Sequence, residues 1–207
     1  MSFIRLLIIT SWLFVSGCAS ALAPLVKPDV EQGAAALRSG AYELDTDHAA
    51  LLFQVNHLGF SEFAGRFDRF NVSLDFDDQN PEAANIDAMI DMTSLDVAND
   101  AFAETLMGPQ WFDAAAFPQA RFTSTAITVT GENNGILNGN LTLHGVTAPV
   151  TLDVAFNGGA RDRLRNAYVT GFSARGVISR AAFGVDRFST LVGDEVKIEI
   201  QAEFKKR

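Results

Sequence analysis

The chain has 207 residues, room for one domain and tight for two. Hydrophobic residues make up 48% and charged residues 20%, a globular balance rather than a disordered one. The formal net charge of −9 argues against nucleic acid, or an anionic membrane surface, as the main partner.

The N-terminus reads as an export signal. Arg5 supplies a minimal positive start, and LLIITSWLFV (6–15) is an apolar run. It is too short for a permanent membrane span, which needs about 20 residues. VSGC (15–18) resembles a bacterial lipobox, with Cys18, the single cysteine, as the lipid acceptor. Ordinary cleavage at ASA (19–21) is the alternative and would discard Cys18. Both readings place the mature protein in the cell envelope, on the periplasmic side and without a disulfide. Lipidated Cys18 adds a membrane anchor. Residues 1–18 are therefore the signal segment. Residues 19–40 read as a tether, with two prolines, small residues and scattered charges. Within it, 30–38 has the pattern of a helical turn or two. Residues 41–207 form the domain.

From Tyr42 onward the dominant period is two, the repeat of strands with one apolar face. LLFQVNH (51–57) puts Leu51, Phe53, Val55 and His57 on one face. FNVSLDF (70–76) does the same with Phe70, Val72, Leu74 and Phe76, and NIDAMIDM (85–92) with Ile86, Ala88, Ile90 and Met92. The β-branched run ARFTSTAITV (120–129) follows. LNGNLTLH (137–144) aligns Leu137, Leu141 and Leu143; VTLDVAF (150–156) aligns Val150, Leu152, Val154 and Phe156. YVTGFSARGVIS (168–179) aligns Phe172, Ala174 and Ile178. EVKIEIQAEF (195–204) sets Val196, Ile198, Ile200, Ala202 and Phe204 against Lys197, Glu199, Gln201 and Glu203. These are eight predicted strands.

The connections DDQNPEAAN, TGENNG, HGVTAP and NGGARD carry the Gly, Asn, Asp and Pro of turns. One short helix is expected within 99–113, capped by Asn99 and ended by Gly108-Pro109. No regular crossover helix separates the strands, so the sheet is expected to be antiparallel. Sandwich and closed barrel both satisfy the pattern, and the barrel removes exposed edges. Small inward residues (Ala88, Ala174, Gly176, Ala202) beside large ones would leave room inside, although solid cores also mix sizes.

Chemistry-bearing residues are sparse. The three histidines, His48, His57 and His144, contain no H-x-H or H-x-x-x-H pair, so no metal site is expected. No G-x-S-x-G nucleophile or dinucleotide fingerprint is present. Asp77-Asp78 and the arginines of ARDRLRN (160–166) read as solvated loop charges, with contact between those arginines and an anionic head group as the alternative. His57 shares the apolar face and is the candidate head-group contact. His48 is expected to bond a neighbouring loop. His144 follows Leu143, so alternation turns it away from the interior.

In order along 42–204, the sequence resembles the YceI-like family, bacterial polyisoprenoid-binding proteins of lipocalin-like shape. The resemblance begins with Tyr42, Asp45, His48, Phe53, His57, Gly59, Gly65 and Phe67. It continues through the acidic-Asn-Pro loop, Ser94, WFDAAAFPQARFTST and GNLTLHGVTAPVTLDV, and closes with ISRAAFG and VGDEVKIEIQAEF. Two positions depart from the family pattern. Asn99-Asp100-Ala101-Phe102 stands where an Arg-Asp pair is usual, and Ala182 replaces an aspartate before Phe183-Gly184. The resemblance implies an all-β, eight-stranded antiparallel lipocalin-like barrel with one short helix. It implies an isoprenoid or quinone-type tail held inside, no catalytic residues and no further cofactor. The tail would be lined by Phe53, Val55, Phe70, Val72, Leu74, Ile90, Leu141, Leu143, Val154, Phe172, Ile198 and Ile200. An isoprenoid- or quinone-modifying enzyme and a ligand-free structural barrel remain as alternatives. The oligomeric state is open, a homodimer included.

Overall fold

The computed structural model describes residues 26–207, and its wall is β-sheet from end to end. The strands are β1 (Gly40–His57), β2 (Ser61–Phe67), β3 (Phe70–Phe76), β4 (Asn85–Asp91), β5 (Leu95–Asp96), β6 (Gln119–Val129), β7 (Asn134–Leu143), β8 (Val146–Asp162), β9 (Ala167–Ser179) and β10 (Val192–Lys206). All pairings are antiparallel, in the order β10-β9-β8-β7-β6-β4-β3-β1, and β10 pairs with β1 to close the ring. That closure removes the free edge everywhere but the helix end, where β5 pairs only with β2 and residues 61–65 of β2 pair only with β1.

The ring has eight members because two of them are broken strands. β1 pairs with β2 through Leu51↔Phe67 and with β3 through Glu43↔Ser73, so β2 and β3 form one strand kinked at Asp68-Arg69. β4 and β5 pair with those same two pieces and form the next. Buried Ser94 knits the breaks together. Its carbonyl accepts from the Asp68 amide, and its Oγ accepts from the Arg69 amide and donates to the Asp91 carbonyl at 2.6 Å. The eight-stranded antiparallel barrel is thus present, and β2 is a strand that the alternation reading passed over. Its inward positions are Phe63, Gly65 and Phe67, and a Cβ on Gly65 would stand 2.5 Å from the Phe53 ring.

β1 changes phase partway. Tyr42 and Leu44 face inward, then Ala49, Leu51, Phe53 and Val55 do. The switch from even to odd positions falls at the bulge between Leu44 and Ala49, where β1 outruns β10. At the opposite end of the ring, β7 and β8 meet in a two-residue turn. His144 and Gly145 both have positive φ, 52° and 75°, as a tight hairpin of this hand requires. The turn is therefore shorter than HGVTAP. Pro149 already lies in β8 opposite Asn140, before the β8–β9 ladder starts at Asp153, so its missing N–H leaves no β9 partner unpaired.

The short α-helix α1 (Asp100–Met107) forms where expected. The Asn99 side chain accepts from the Phe102 amide at 2.9 Å, and Gly108 ends the helix. Ala103 and Leu106 bury against Phe53, Leu95 and Val97, so α1 covers part of one barrel end. The other end is crossed by the chain preceding β1. Glu31 pairs with Gly159, Ala34–Ala36 makes a 3-10 turn, and the Tyr168 hydroxyl donates to the Ala36 carbonyl. The Tyr42 hydroxyl donates to the Arg38 carbonyl at 2.6 Å. Residues 31–38, expected as spacer, are a strap packed on the barrel. Residues 1–18, with Cys18, and the first part of the tether lie outside the described residues. The ring closes within 26–207, and three apolar clusters form among these described residues.

Candidate ligand-binding cavity

The barrel is hollow. A cavity of about 890 Å³ runs from the strap end to the helix end, walled almost wholly by carbon. Every residue named from alternation as inward lining reaches it: Phe53 and Val55 from β1, Phe70, Val72 and Leu74 from β3, and Ile90 from β4. Leu141 and Leu143 come from β7, Val154 from β8, Phe172 from β9, and Ile198 and Ile200 from β10. Period two explains this, since each wall strand sends alternate side chains to one lumen. Ala88, Ala174 and Ala202 leave space among them. Gly176 does not, because Leu152 fills that position; a Cβ there would meet Leu152 Cδ2 at 2.6 Å.

The wall also contains residues that alternation did not single out. Phe67 lies on the unread strand β2. Phe102, Trp111, Phe112 and Phe188 come from the helix end, where no strand period exists to reveal them. Aromatic contacts hold this end in shape: Phe63 meets Phe102 edge-on at 5.6 Å, and Trp111 lies 6.1 Å from Phe188.

Polar groups are confined to the two ends. At the strap end stand Asp78, Glu132, Asn133 and Asn134, beside Ala34 and Leu37 of the strap. The Asp78 carboxyl is held below its ordinary value by hydrogen bonds with Gln79 and Ser39. At the helix end stand His57 and Arg180. His57 is exposed at the mouth, in line with Phe53 and Val55. Arg180 is buried, and its donors are spent on main-chain carbonyls: Val185 at 2.6 Å, Gly193 at 2.8 Å, Val192 at 2.9 Å and Arg187 at 3.0 Å. It gathers the loop before β10 and the first residues of β10 around one guanidinium. No sequence period pointed to Arg180; a lone arginine before an apolar Ala-Ala-Phe run was its only signal.

His144 stands off the cavity. Its Nδ1 pairs with the Phe183 carbonyl at 3.2 Å and its ring packs edge-on against Phe117. Of the two departures from the family pattern, the one at Ala182 spares the wall, whereas the one at 99–102 brings Phe102 to it. Asn99 serves as the helix cap, and Ala182 is exposed beside the fully buried Phe183.

His48 and one of the loop arginines belong to a separate cluster outside the lumen. Arg165 is not a solvated loop charge. Its guanidinium meets Asp162 at 2.6 Å, Glu203 at 2.6 Å and Asp45 at 2.8 Å, and His48 Nδ1 lies 3.1 Å from Asp45. Burial pushes the Asp45 carboxyl up, but hydrogen bonds from Arg165 and His48 outweigh it and leave the group below its ordinary value. The Arg165 hydrogen bond lowers Asp162 likewise. Asp45, His48 and Glu203 bring three metal-capable atoms within 4.8 Å, yet both carboxylates already serve Arg165, and Asp45 also meets Lys205 at 3.6 Å. The cluster ties β1, β10 and the β8–β9 turn together across the closing seam of the ring.

A closed antiparallel meander around an elongated apolar lumen defines a cavity-bearing barrel of lipocalin-like shape. More specifically, the chain belongs to the YceI-like family: the model of the YceI-like domain matches residues 42–204. Among its relatives, a UPF0312 protein of Yersinia pestis is 35% identical over 164 residues, 78% of this chain and 84% of that one. The crystal structure of Burkholderia cenocepacia BcnA is 26% identical with a TM-score of 0.70, covering 77% of this chain and 98% of that one. A polyisoprenoid-binding domain from Saccharophagus degradans, implicated in plant cell wall breakdown, shares the fold at 17% identity and a TM-score of 0.56, covering 80% of this chain and 98% of that one.

Proposed function

We propose that this protein holds the tail of an isoprenoid lipid, of polyprenyl or quinone type, as a non-enzymatic carrier or reservoir in the cell envelope. The observation that carries the proposal is the continuous carbon-walled lumen of about 890 Å³. At roughly 30 Å³ per heavy atom, it has room for about 30 atoms, or about six five-carbon units. Membership of the YceI-like family and the shared fold of the Saccharophagus polyisoprenoid-binding domain support the same reading.

Energetics favour exchange over tight capture. Each buried carbon is worth about 0.8 kcal/mol against water, so about 30 carbons would exceed the practical affinity ceiling of roughly 18–21 kcal/mol. The tail starts in a bilayer, however, where it is already buried. Transfer into the barrel is then close to balanced, which suits a carrier. The head group sits at the helix end, beside His57 and the buried Arg180 charge, with the tail running toward Leu37 of the strap. Nothing on the wall is placed as nucleophile and base, which favours binding over catalysis.

Native mass spectrometry of protein incubated with a polyprenol, and with a saturated alcohol of equal carbon count, tests the proposal. A one-to-one adduct favouring the polyprenol is expected. Absence of any lipid adduct would remove the binding reading, and conversion of a bound quinone or polyprenol would replace it with an enzyme. The envelope location rests on the lipobox: Cys18→Ser should move the protein from the membrane to the soluble fraction, and a wild type already soluble would refute anchoring.

A further inference from the structure

Exposed apolar side chains gather at the helix end. Phe60 is 88% exposed, Leu191 54%, Phe188 51%, Leu58 45% and Phe102 42%. They come from three segments that touch. The Leu58 amide donates to the Leu191 carbonyl at 3.3 Å, which joins the β1–β2 turn to the loop before β10. Phe63, just behind the first tip, meets Phe102 of α1, and Trp111, just after α1, meets Phe188 of the second tip. Phe102 and Phe188 belong both to this face and to the cavity wall, so the patch is continuous with the mouth of the lumen. A contiguous patch of this kind marks an interaction surface, whereas isolated apolar residues do not. Among the described residues, Val30, Val129 and Leu164 are also exposed, each from a different segment away from this mouth.

Charge completes the description. In a chain of net charge −9, the tips Leu58-Gly59-Phe60-Ser61 and Phe188-Ser189-Thr190-Leu191 contain no charged residue. Glu62 behind the first tip is paired with Lys197 at 3.0 Å. Behind the second, the Arg187 guanidinium lies 4.5 Å from the Phe188 ring centre, an arrangement that lets an arginine reach phosphates while its stem stays on apolar surface. Asp186 flanks the same tip, and Asp100 and Glu104 on α1 set Phe102 at the margin of the face.

We propose that this face docks on an electrically neutral lipid bilayer, seating the cavity mouth against the acyl region. The purpose of the docking rests on the isoprenoid reading above. Its evidence does not, being the patch, its charge-free tips and its continuity with the lumen. A protein partner on the same face would cap the mouth. A bilayer fits uncharged apolar tips flanked by an arginine and supplies the tail. The net negative charge works against anionic lipid, so added phosphatidylglycerol should not tighten binding.

The test uses residues 26–207, which hold the complete barrel and carry no lipid anchor. Co-sedimentation with phosphatidylcholine vesicles should show binding. The double variant Phe60→Ser/Leu191→Ser, at solvent-exposed positions and with an unchanged melting curve, should bind at least tenfold more weakly. It should extract a polyprenol from vesicles correspondingly more slowly, yet load normally from detergent micelles. Failure of the wild type to bind neutral vesicles, a strict requirement for anionic lipid, or equal binding by the double variant would overturn the proposal. Vesicle binding without loading of either protein from micelles would leave docking standing and remove the isoprenoid reading instead.

Discussion

Replacing Arg165 with methionine should weaken the barrel at its closing seam. The substitution keeps the apolar stem and removes the cation that Asp45, Asp162 and Glu203 share at 2.6–2.8 Å. Gross Coulomb attraction at these distances is about 6 kcal/mol per pair at an effective dielectric constant of about 20. Desolvation offsets much of it, and withdrawing one partner from a buried pair costs about 3–5 kcal/mol. The Arg165 side chain is 28% exposed and that of Glu203 39%, so screening lowers the expected loss to about 2–4 kcal/mol. For a domain of this size that is a fall in Tm of roughly 4–16 °C. The pH dependence gives a second readout. Asp45 and Asp162 are held below their ordinary values in the fold. Their contribution is therefore present above about pH 4 and lost as pH falls through the folded values. Without Arg165 the three carboxylates repel one another, and acid relieves them. The gap between wild type and Arg165→Met in urea unfolding should be largest near pH 7 and shrink below pH 4. A gap under about 1 kcal/mol at pH 7, or one that does not change with pH, would refute the seam argument.

Other perturbations read the lumen and its mouth. Ile198→Asp puts a carboxylate on the carbon wall; it should abolish polyprenol retention in native mass spectrometry while costing stability only about 1–3 kcal/mol, because a lumen of about 890 Å³ has room for water beside the new group. A folded variant that retains the polyprenol as the wild type does would contradict the placement. His57→Ala should lower head-group-dependent retention several-fold with Tm unchanged, since the ring is exposed at the mouth; equal retention would return His57 to a purely structural role. Arg180→Met orphans two carbonyls of the loop before β10 and two at the start of β10, and should cost about 3 kcal/mol. Amide exchange over 185–193 should accelerate more than elsewhere, and a uniform acceleration would argue against a local clasp.

Much of this architecture is legible in the sequence because a half-buried strand writes its geometry as alternation. Leu137, Leu141 and Leu143 on β7 and Ile198 and Ile200 on β10 could be assigned to the interior from spacing alone, and they line it. β2 escaped notice because its inward positions, Phe63, Gly65 and Phe67, include a glycine that exists to admit the Phe53 ring, a tertiary demand invisible locally. The strap escaped for a related reason. Ala34, Ala36 and Leu37 look like spacer until Tyr168, more than a hundred residues away, supplies the hydrogen bond that pins them. Arg165 likewise resembles any turn arginine, and its carboxylate partners Asp45 and Glu203 lie on distant strands. The hollow interior was undetermined from sequence, since mixed side-chain sizes occur in packed cores too. Gly176 illustrates the ambiguity: its missing side chain is replaced by Leu152, whereas Ala88 and Ala174 leave their space open.

The central claim is that a single tail occupies this lumen from His57 and Arg180 toward Leu37. A crystal structure of protein loaded with a polyprenol tests it most directly. The account predicts one continuous tube of density along Phe53, Phe172 and Ile200, with the polar end beside His57. A lumen holding only water, or collapsed onto its own side chains with the lipid bound outside the barrel, would contradict it.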